Sequence, residues 1–188
     1  MEAFEKDIQH CMEVLHSGGT ILYPTDTIWG IGCDATNEAA VQKVYALKKR
    51  EESKSLIVLL ADEREVLQWV AAPDLAVFDY VAAQERPTTI IFEGALGLAP
   101  NMVADDGSVG IRMVQDAFCR HLIKRFRKPL VSTSANISGQ PAPQNFTEVS
   151  DAVKRGVDYV VQWRQDDKTP AQPSQIIRWV NGEVVRIR

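Results

Sequence analysis

Apolar residues recur at helical spacing at Phe4, Ile8, Cys11, Met12 and Leu15, which predicts an amphipathic helix over residues 4–17 with Gly18-Gly19 as its stop. Thr20 to Tyr23 is then a short run of β-formers closed by Pro24, which cannot donate to a ladder, so a buried strand ends there. Asn37 is a good N-cap for a helix carrying Val41, Val44, Tyr45 and Leu47, and the strand 56–60 follows it. Asp62 caps a short helix with Val66, Leu67 and Trp69, and Pro73-Asp74 opens another with Leu75, Val77, Phe78 and Val81. Strands are expected at 87–92 and 108–113, with an irregular loop between them that contains Gly94, Gly97 and Pro100. A helix over 116–126 turns Phe118, Leu122 and Phe126 inward, and Pro129 starts the next strand. A helix near 147–155 and a strand at 158–161 precede a polar, proline-bearing connection over 164–173, read as flexible and able to act as a lid. Strands at 174–179 and 184–187 flank the Asn181-Gly182 turn.

Composition narrows the classes. A chain of 188 residues fits one domain and is long enough for a full core, and its 45% hydrophobic and 24% charged shares are ordinary for a soluble globular protein. A net charge of −4 lacks the overall basic footprint of a nucleic-acid binder, so any cationic site must be local and built for a small anion. Cys11, Cys33 and Cys119 have no metal-type spacing and an odd count, which favours a reducing, cytoplasmic compartment over a disulfide framework. The acidic start Met1-Glu-Ala-Phe-Glu-Lys6 lacks a secretory signal's basic flank and apolar core, and no apolar run reaches membrane-spanning length. His10 and His16 read as surface or helix-end residues.

Several polar clusters lie at strand ends. Thr25, Asp26 and Thr27 follow the first strand, where open α/β sheets bind ligands; the same residues also suit a plain turn bonded to local backbone. Lys48, Lys49, Arg50 and Lys54 crowd the end of the second helix, either as a solvated terminus complementing the helix dipole or as a ligand site. In a continuing helix Lys48 and Arg50 would point roughly 200° apart, whereas residues two apart in an extended segment share a side. Joint service to one ligand therefore predicts that the helix unwinds there. Arg112, on an alternating strand, needs either a carboxylate partner or a ligand carboxylate or phosphate. Residues 132–139, Ser-Thr-Ser-Ala-Asn-Ile-Ser-Gly, carry more hydrogen-bonding side chains than a turn requires and read as a small-molecule surface or as a stack of Ser and Asx turns. No paired-carboxylate signature, Ser-His-Asp set, His and Cys metal cluster or glycine-rich phosphate loop accompanies them. Cations and hydroxyls at strand ends suit phosphate chemistry in which the protein positions charge and the substrates supply the nucleophile, with nucleotidyl transfer as the natural candidate.

In order and spacing, Tyr23-Pro-Thr-Asp-Thr-Ile-Trp-Gly-Ile-Gly-Cys-Asp34, Lys48-Lys-Arg50 with Lys54, Ser108-Val-Gly-Ile-Arg112, the 132–139 octet and Pro173-Ser174-Gln-Ile-Ile177 resemble the YrdC-like family along almost the whole chain. The resemblance implies an α/β fold, a twisted mixed parallel/antiparallel sheet with helices packed on it and a concave cationic cavity, as one domain over residues 1–188. The family's best-known members are L-threonylcarbamoyladenylate synthases, which convert L-threonine, bicarbonate and ATP to threonylcarbamoyl-AMP and pyrophosphate for t6A in tRNA. By position, Lys48 and Arg50 are the implied catalytic pair. Lys48, Arg50, Lys54, Ser108, Ser134, Asn136, Gln144 and Arg186 are implied on the ATP side. Thr27, Arg112 and Ser174 are implied for threonine. The implied chemistry is attack of the threonine amine on bicarbonate-derived carbon dioxide and then of the carbamate on the α-phosphate, with Mg2+ arriving on ATP. Implied partners are a downstream tRNA threonylcarbamoyl transferase complex and, weakly, tRNA itself, with no membrane partner.

The chain departs from the usual family pattern at Glu51 and Ser55, where prolines are common, at Glu85-Arg86-Pro87 in place of Pro-Gly-Pro, and at Arg186-Ile187-Arg188 in place of Arg-Pro-Gly. These affect loop shape and adenine-side contacts first. Retention of Ser134-x-Asn136 favours the synthase over a paralogous branch that tends to lose it. The rival from another class is a YrdC-like module that binds double-stranded RNA or tRNA without catalysis, which the acidic net charge disfavours. Carbamoyl transfer for hydrogenase maturation uses this fold within longer chains bearing zinc-finger elements, and Cys-x-x-Cys is absent here.

Overall fold

A computed structural model describes residues 3–188; Met1 and Glu2, the first of the acidic amino-terminal residues read above, lie outside the described residues. Helix α1 (Glu5–His16) buries Ile8, Cys11 and Leu15 and ends ahead of Gly18, whose φ of 73° needs a residue without a Cβ. Strands β1 (Ile21–Tyr23) and β2 (Gly30–Gly32) form an antiparallel pair around the 24–29 turn. Asn37 caps α2 (Glu38–Lys48) by accepting from the Ala40 amide. Beyond it lie β3 (Ile57–Leu60), α3 (Val66–Trp69), α4 (Val77–Ala82), β4 (Thr88–Phe92), β5 (Val109–Met113), α5 (Ala117–Phe126), β6 (Leu130–Ser134), α6 (Asp151–Gly156), β7 (Tyr159–Val160), β8 (Gln175–Val180) and β9 (Glu183–Arg186).

The strands make one nine-stranded sheet in the order β7-β1-β2-β6-β3-β5-β4-β8-β9. Pairs β1–β7, β3–β5 and β4–β8 are parallel and the other neighbours antiparallel, so the sheet is mixed in direction as expected. Its register separates two faces. On one, Val131, Val58, Ile111, Ile90 and Ile177 are paired in sequence across five strands, and each is fully buried. Each such side chain contributes roughly 1.5–3 kcal/mol relative to exposure, and a one-residue slip would expose the whole ladder, so this row holds the register. The opposite face is held by the same register and carries Ile57 beside Gly110 and Ser132, Leu59 beside Arg112, and Thr89 beside Ile176.

Local chemistry moved some boundaries. The helix expected near 147–155 is a 3-10 turn at Phe146–Glu148 followed by α6, because Ser150 accepts from the Val153 amide and starts a new helix. Asp74 bonds the Ala76 amide, so the helix expected from Pro73 begins at Val77, and Leu75 stays exposed. A 3-10 turn, Pro100–Met102, interrupts the loop expected over 94–106. The 164–173 segment is irregular and is tethered at its start, where Arg164 donates to Thr25 O and to Asp116. Cys11, Cys33 and Cys119 are all buried and unpaired.

Candidate active site

The helix end at Lys48 organises the site. Lys49 takes up the left-handed conformation, φ 51°, and stops α2, so Arg50 leaves the helix axis. The helix does stop after Lys48, but through one left-handed residue rather than an extended run, so Lys48 and Arg50 do not come to share a side. Arg50 is then held from below: its Nε donates to Lys54 O at 2.7 Å and its Nη2 to Ser55 O at 3.1 Å. Lys48 goes the other way. Its side chain is buried, and Nζ donates to Ser134 O at 2.6 Å, Asn136 O at 2.7 Å and Asn136 Oδ1 at 3.1 Å. Ser134 Oγ also donates to Asn136 Oδ1, and the Ser138 amide donates to Lys48 O, so the lysine and the 134–138 turn form one unit.

A cavity of about 220 Å³ opens on the polar face of the sheet. Thr27, Arg50, Arg112, Ser134 and Ser174 all line it, together with Ser55, Ser132 and Arg188. The lining contains three arginines and no carboxylate, so its own charge is positive. Thr27 enters from the 24–29 turn, where Thr25 Oγ1 accepts from the Thr27 amide and donates to Ile28 O. Thr25 thus serves the backbone as the plain-turn reading has it, while Thr27 faces the cavity. Ser174 Oγ lies 2.8 Å from Thr89 Oγ1, which fixes its hydroxyl at the start of β8. Arg112 has the carboxylate partner that was one of its two expectations, since its Nη2 lies 3.2 Å from Asp26 Oδ1, and it also lines the cavity.

The other sequence-derived residues stand elsewhere. Lys48 and Asn136 lie behind Ser134 rather than in the lining. The Lys54 ammonium is exposed and pairs with Glu51, and only its carbonyl serves the site, through Arg50. Ser108 lines an adjoining cavity of about 460 Å³ that shares Ser55, Leu56, Ile57 and Ile176 with the first. Gln144 is exposed and lines neither cavity; its amide donates to Glu148. Arg186 pairs with Ile177 in the register, which puts it on the face opposite the cavity. Arg188 reaches the cavity instead. Ile187 and Arg188 amides both donate to Ile176 O, a β-bulge that sets two residues against one and brings Arg188 back to the Ile176 face. Its Nη2 donates to Ser174 O, while burial and the charges of Arg86 and Arg112 hold its guanidinium below its ordinary value. The terminal Arg-x-Arg was visible in the sequence; the bulge that selects its second member was not.

Burial first, and the Arg50 charge second, pull the Lys48 ammonium down to about 8. Between that value and the ordinary 10.5, the unfolded chain keeps a proton that the folded chain has released, so this group's contribution to stability rises with pH across the window. The unfolding free energy of the protein in urea titrations should climb from pH 8 to 10 relative to that of a Lys48→Met variant, by about 2 kcal/mol. Parallel pH courses for the two proteins would contradict this account of the buried ammonium.

An open α/β sheet with a cation-rich cavity above its polar face has the form and charge that suit a small anionic ligand. The chain belongs to the Sua5/YciO/YrdC family, described as "Telomere recombination", which it matches over residues 13–188. It is 33% identical over 182 residues to a threonylcarbamoyl-AMP synthase of Idiomarina loihiensis, covering 93% of this chain and 96% of that protein. Among solved structures it is similar to P. abyssi Sua5 complexed with L-threonine, with a TM-score of 0.87 and 20% identity over 100% of this chain. This chain spans 55% of the length of that protein. It is also similar to E. coli YciO, with a TM-score of 0.83 and 18% identity, covering 97% of this chain and 88% of that one. Among the described residues no helix is long and apolar enough to cross a membrane.

Proposed function

We propose that this protein is an L-threonylcarbamoyladenylate synthase, a nucleotidyltransferase that converts L-threonine, bicarbonate and ATP to threonylcarbamoyl-AMP, pyrophosphate and water for the t6A modification of tRNA. The observation that carries the reading is convergence: Thr27, Arg112 and Ser174, assigned to threonine, share one cavity with Arg50 and Ser134, assigned to ATP, although they come from opposite ends of the chain. Arg112 takes the amino acid carboxylate as a planar fork, between the hydroxyls of Thr27 and Ser174. Arg50 and Ser134 lie on the triphosphate side, where fixed positive charge stabilises pyrophosphate as it leaves. Arg188 adds a third cation to the assigned set. Lys48 and Asn136 act through Ser134 by holding its turn.

Magnesium enters as part of the substrate, on the triphosphate. No carboxylate lines the main cavity, so there the triphosphate oxygens and water would hold the ion. A single domain over residues 1–188 is proposed on the strength of the continuous sheet, and a cytoplasmic location on the buried, unpaired cysteines. Threonylcarbamoyl-AMP is a reactive mixed anhydride, so a tRNA threonylcarbamoyl transferase complex is the proposed partner, with weak binding of tRNA itself.

Purified protein supplied with ATP, bicarbonate, magnesium and L-threonine should release pyrophosphate only when threonine is present. Salt-sensitive retention of RNA without pyrophosphate release would replace the enzyme reading with that of an RNA-binding module.

A further inference from the structure

Asp26 and Arg112 form an ion pair where the main cavity meets an open cleft, with Thr27 on the wall common to both. The pair is close but incomplete. Nη2 of Arg112 lies 3.2 Å from Asp26 Oδ1, yet Arg112 Nε, Arg112 Nη2 and Asp26 Oδ1 are all buried and none has a hydrogen-bond partner. Asp26 is anchored by its other oxygen, Oδ2, which accepts from the Gln115 amide at 3.1 Å. Charge is therefore balanced while hydrogen-bonding capacity on both partners is left open. A buried polar atom without a partner costs about 1–3 kcal/mol, and native proteins rarely leave such atoms grouped unless something else completes them.

What would complete them has a definite chemistry. The Nε–Nη2 edge of a guanidinium is a fork for a carboxylate. The free oxygen beside it calls for an N–H donor, best a charged one. A molecule that presents a carboxylate and an ammonium on the same carbon satisfies both at once. A carboxylate alone fills the fork but sets a second negative charge against Asp26. No carboxylate lines the main cavity itself, and Asp26, in the wall of the adjoining cleft beside Arg112, is the one that the pair places next to the fork.

We propose that Asp26 is a specificity-determining residue, which accepts from the α-ammonium of the substrate while Arg112 takes its carboxylate, and so selects α-amino acids over acids that lack the amine. This rests on the assignment of Arg112 to the threonine carboxylate.

The test is calorimetric titration of wild type and Asp26→Asn with L-threonine and with 3-hydroxybutanoate, the same molecule without its amine. Wild type should prefer threonine by about 100-fold, the worth of one charge-assisted contact plus relief of the repulsion. In Asp26→Asn that preference should shrink by about tenfold or more, through weaker threonine binding with 3-hydroxybutanoate held or improved. Asp26→Glu, which keeps the charge, should retain most of the preference. Parallel weakening of both ligands in Asp26→Asn would mean that Asp26 only supports Arg112, and would overturn the proposal. So would a wild-type preference below about tenfold, a result that needs no variant to fold. If wild type bound neither ligand, the threonine assignment itself would fall, and the inference with it.

Discussion

Threonine-dependent pyrophosphate release should fall by about 100-fold or more when Arg112 is replaced by glutamine, because a bidentate charge-assisted contact to the substrate carboxylate is lost. The loss should appear mainly as a raised KM for threonine, with that for ATP little changed. A lysine at the same place should not rescue it, since a single ammonium cannot present two parallel donors. Stability should fall as well. Arg112 is 3% exposed and the Asp26 side chain beside it 10%, so removal of the cation leaves a nearly buried carboxylate without its counter-charge, a change that costs about 3–5 kcal/mol for buried pairs. The double variant Arg112→Gln, Asp26→Asn should regain most of the stability and none of the turnover. Restored turnover in the double variant, or an unchanged threonine KM in the single one, would remove Arg112 from the substrate site.

The second large effect is expected at Lys48, and it should differ in kind. The ammonium donates to three oxygens of the 134–136 turn in a place closed to water. Lys48→Met takes the cation from all three; Ser134 O keeps the Asn136 amide and Asn136 Oδ1 keeps the Ser134 hydroxyl, but Asn136 O loses its donor, at about 1–3 kcal/mol, and the turn that sets Ser134 in the cavity wall is freed. Unfolding should therefore come at lower urea, and turnover should drop by about 100-fold through displacement of Ser134 and its neighbours. Arg50→Ala is the contrast. Its guanidinium lines the cavity and is tied only to the carbonyls of Lys54 and Ser55, so its loss should lower turnover with little change in stability. Equal stability for the two variants would mean that Lys48 acts on the ligand directly rather than through the turn.

Much of this arrangement was legible along the chain. Periodicity placed each motif on a strand end or a helix end. Joint service of Lys48 and Arg50 to one ligand predicted a helix stop; Lys49 supplies the stop, although only Arg50 of the two lines the cavity. Alternation in 108–113 aimed Arg112 at one face, and the Asn181-Gly182 pair turned the last two strands with φ values of 52° and 80°. These are local facts, decided by backbone geometry within a few residues. The order of the five motifs also carried the family resemblance, because spacing over a whole chain preserves which strand follows which.

Other features depended on which distant segments meet. Lys48 and Arg50 look like twins in sequence, yet 86 residues separate Lys48 from the Ser134 carbonyl that buries it. Asp26 had two readings until β5 brought Arg112 beside it. Arg186 and Arg188 share a side in any regular strand, and only the bulge against Ile176 separates their faces. Periodicity determined where each side chain points from its own backbone, while the tertiary structure decided what stands there to meet it. The reason is physical: direction is set by the dihedrals of neighbouring residues, whereas burial, pairing and register are set by the packing of segments that the chain order keeps far apart.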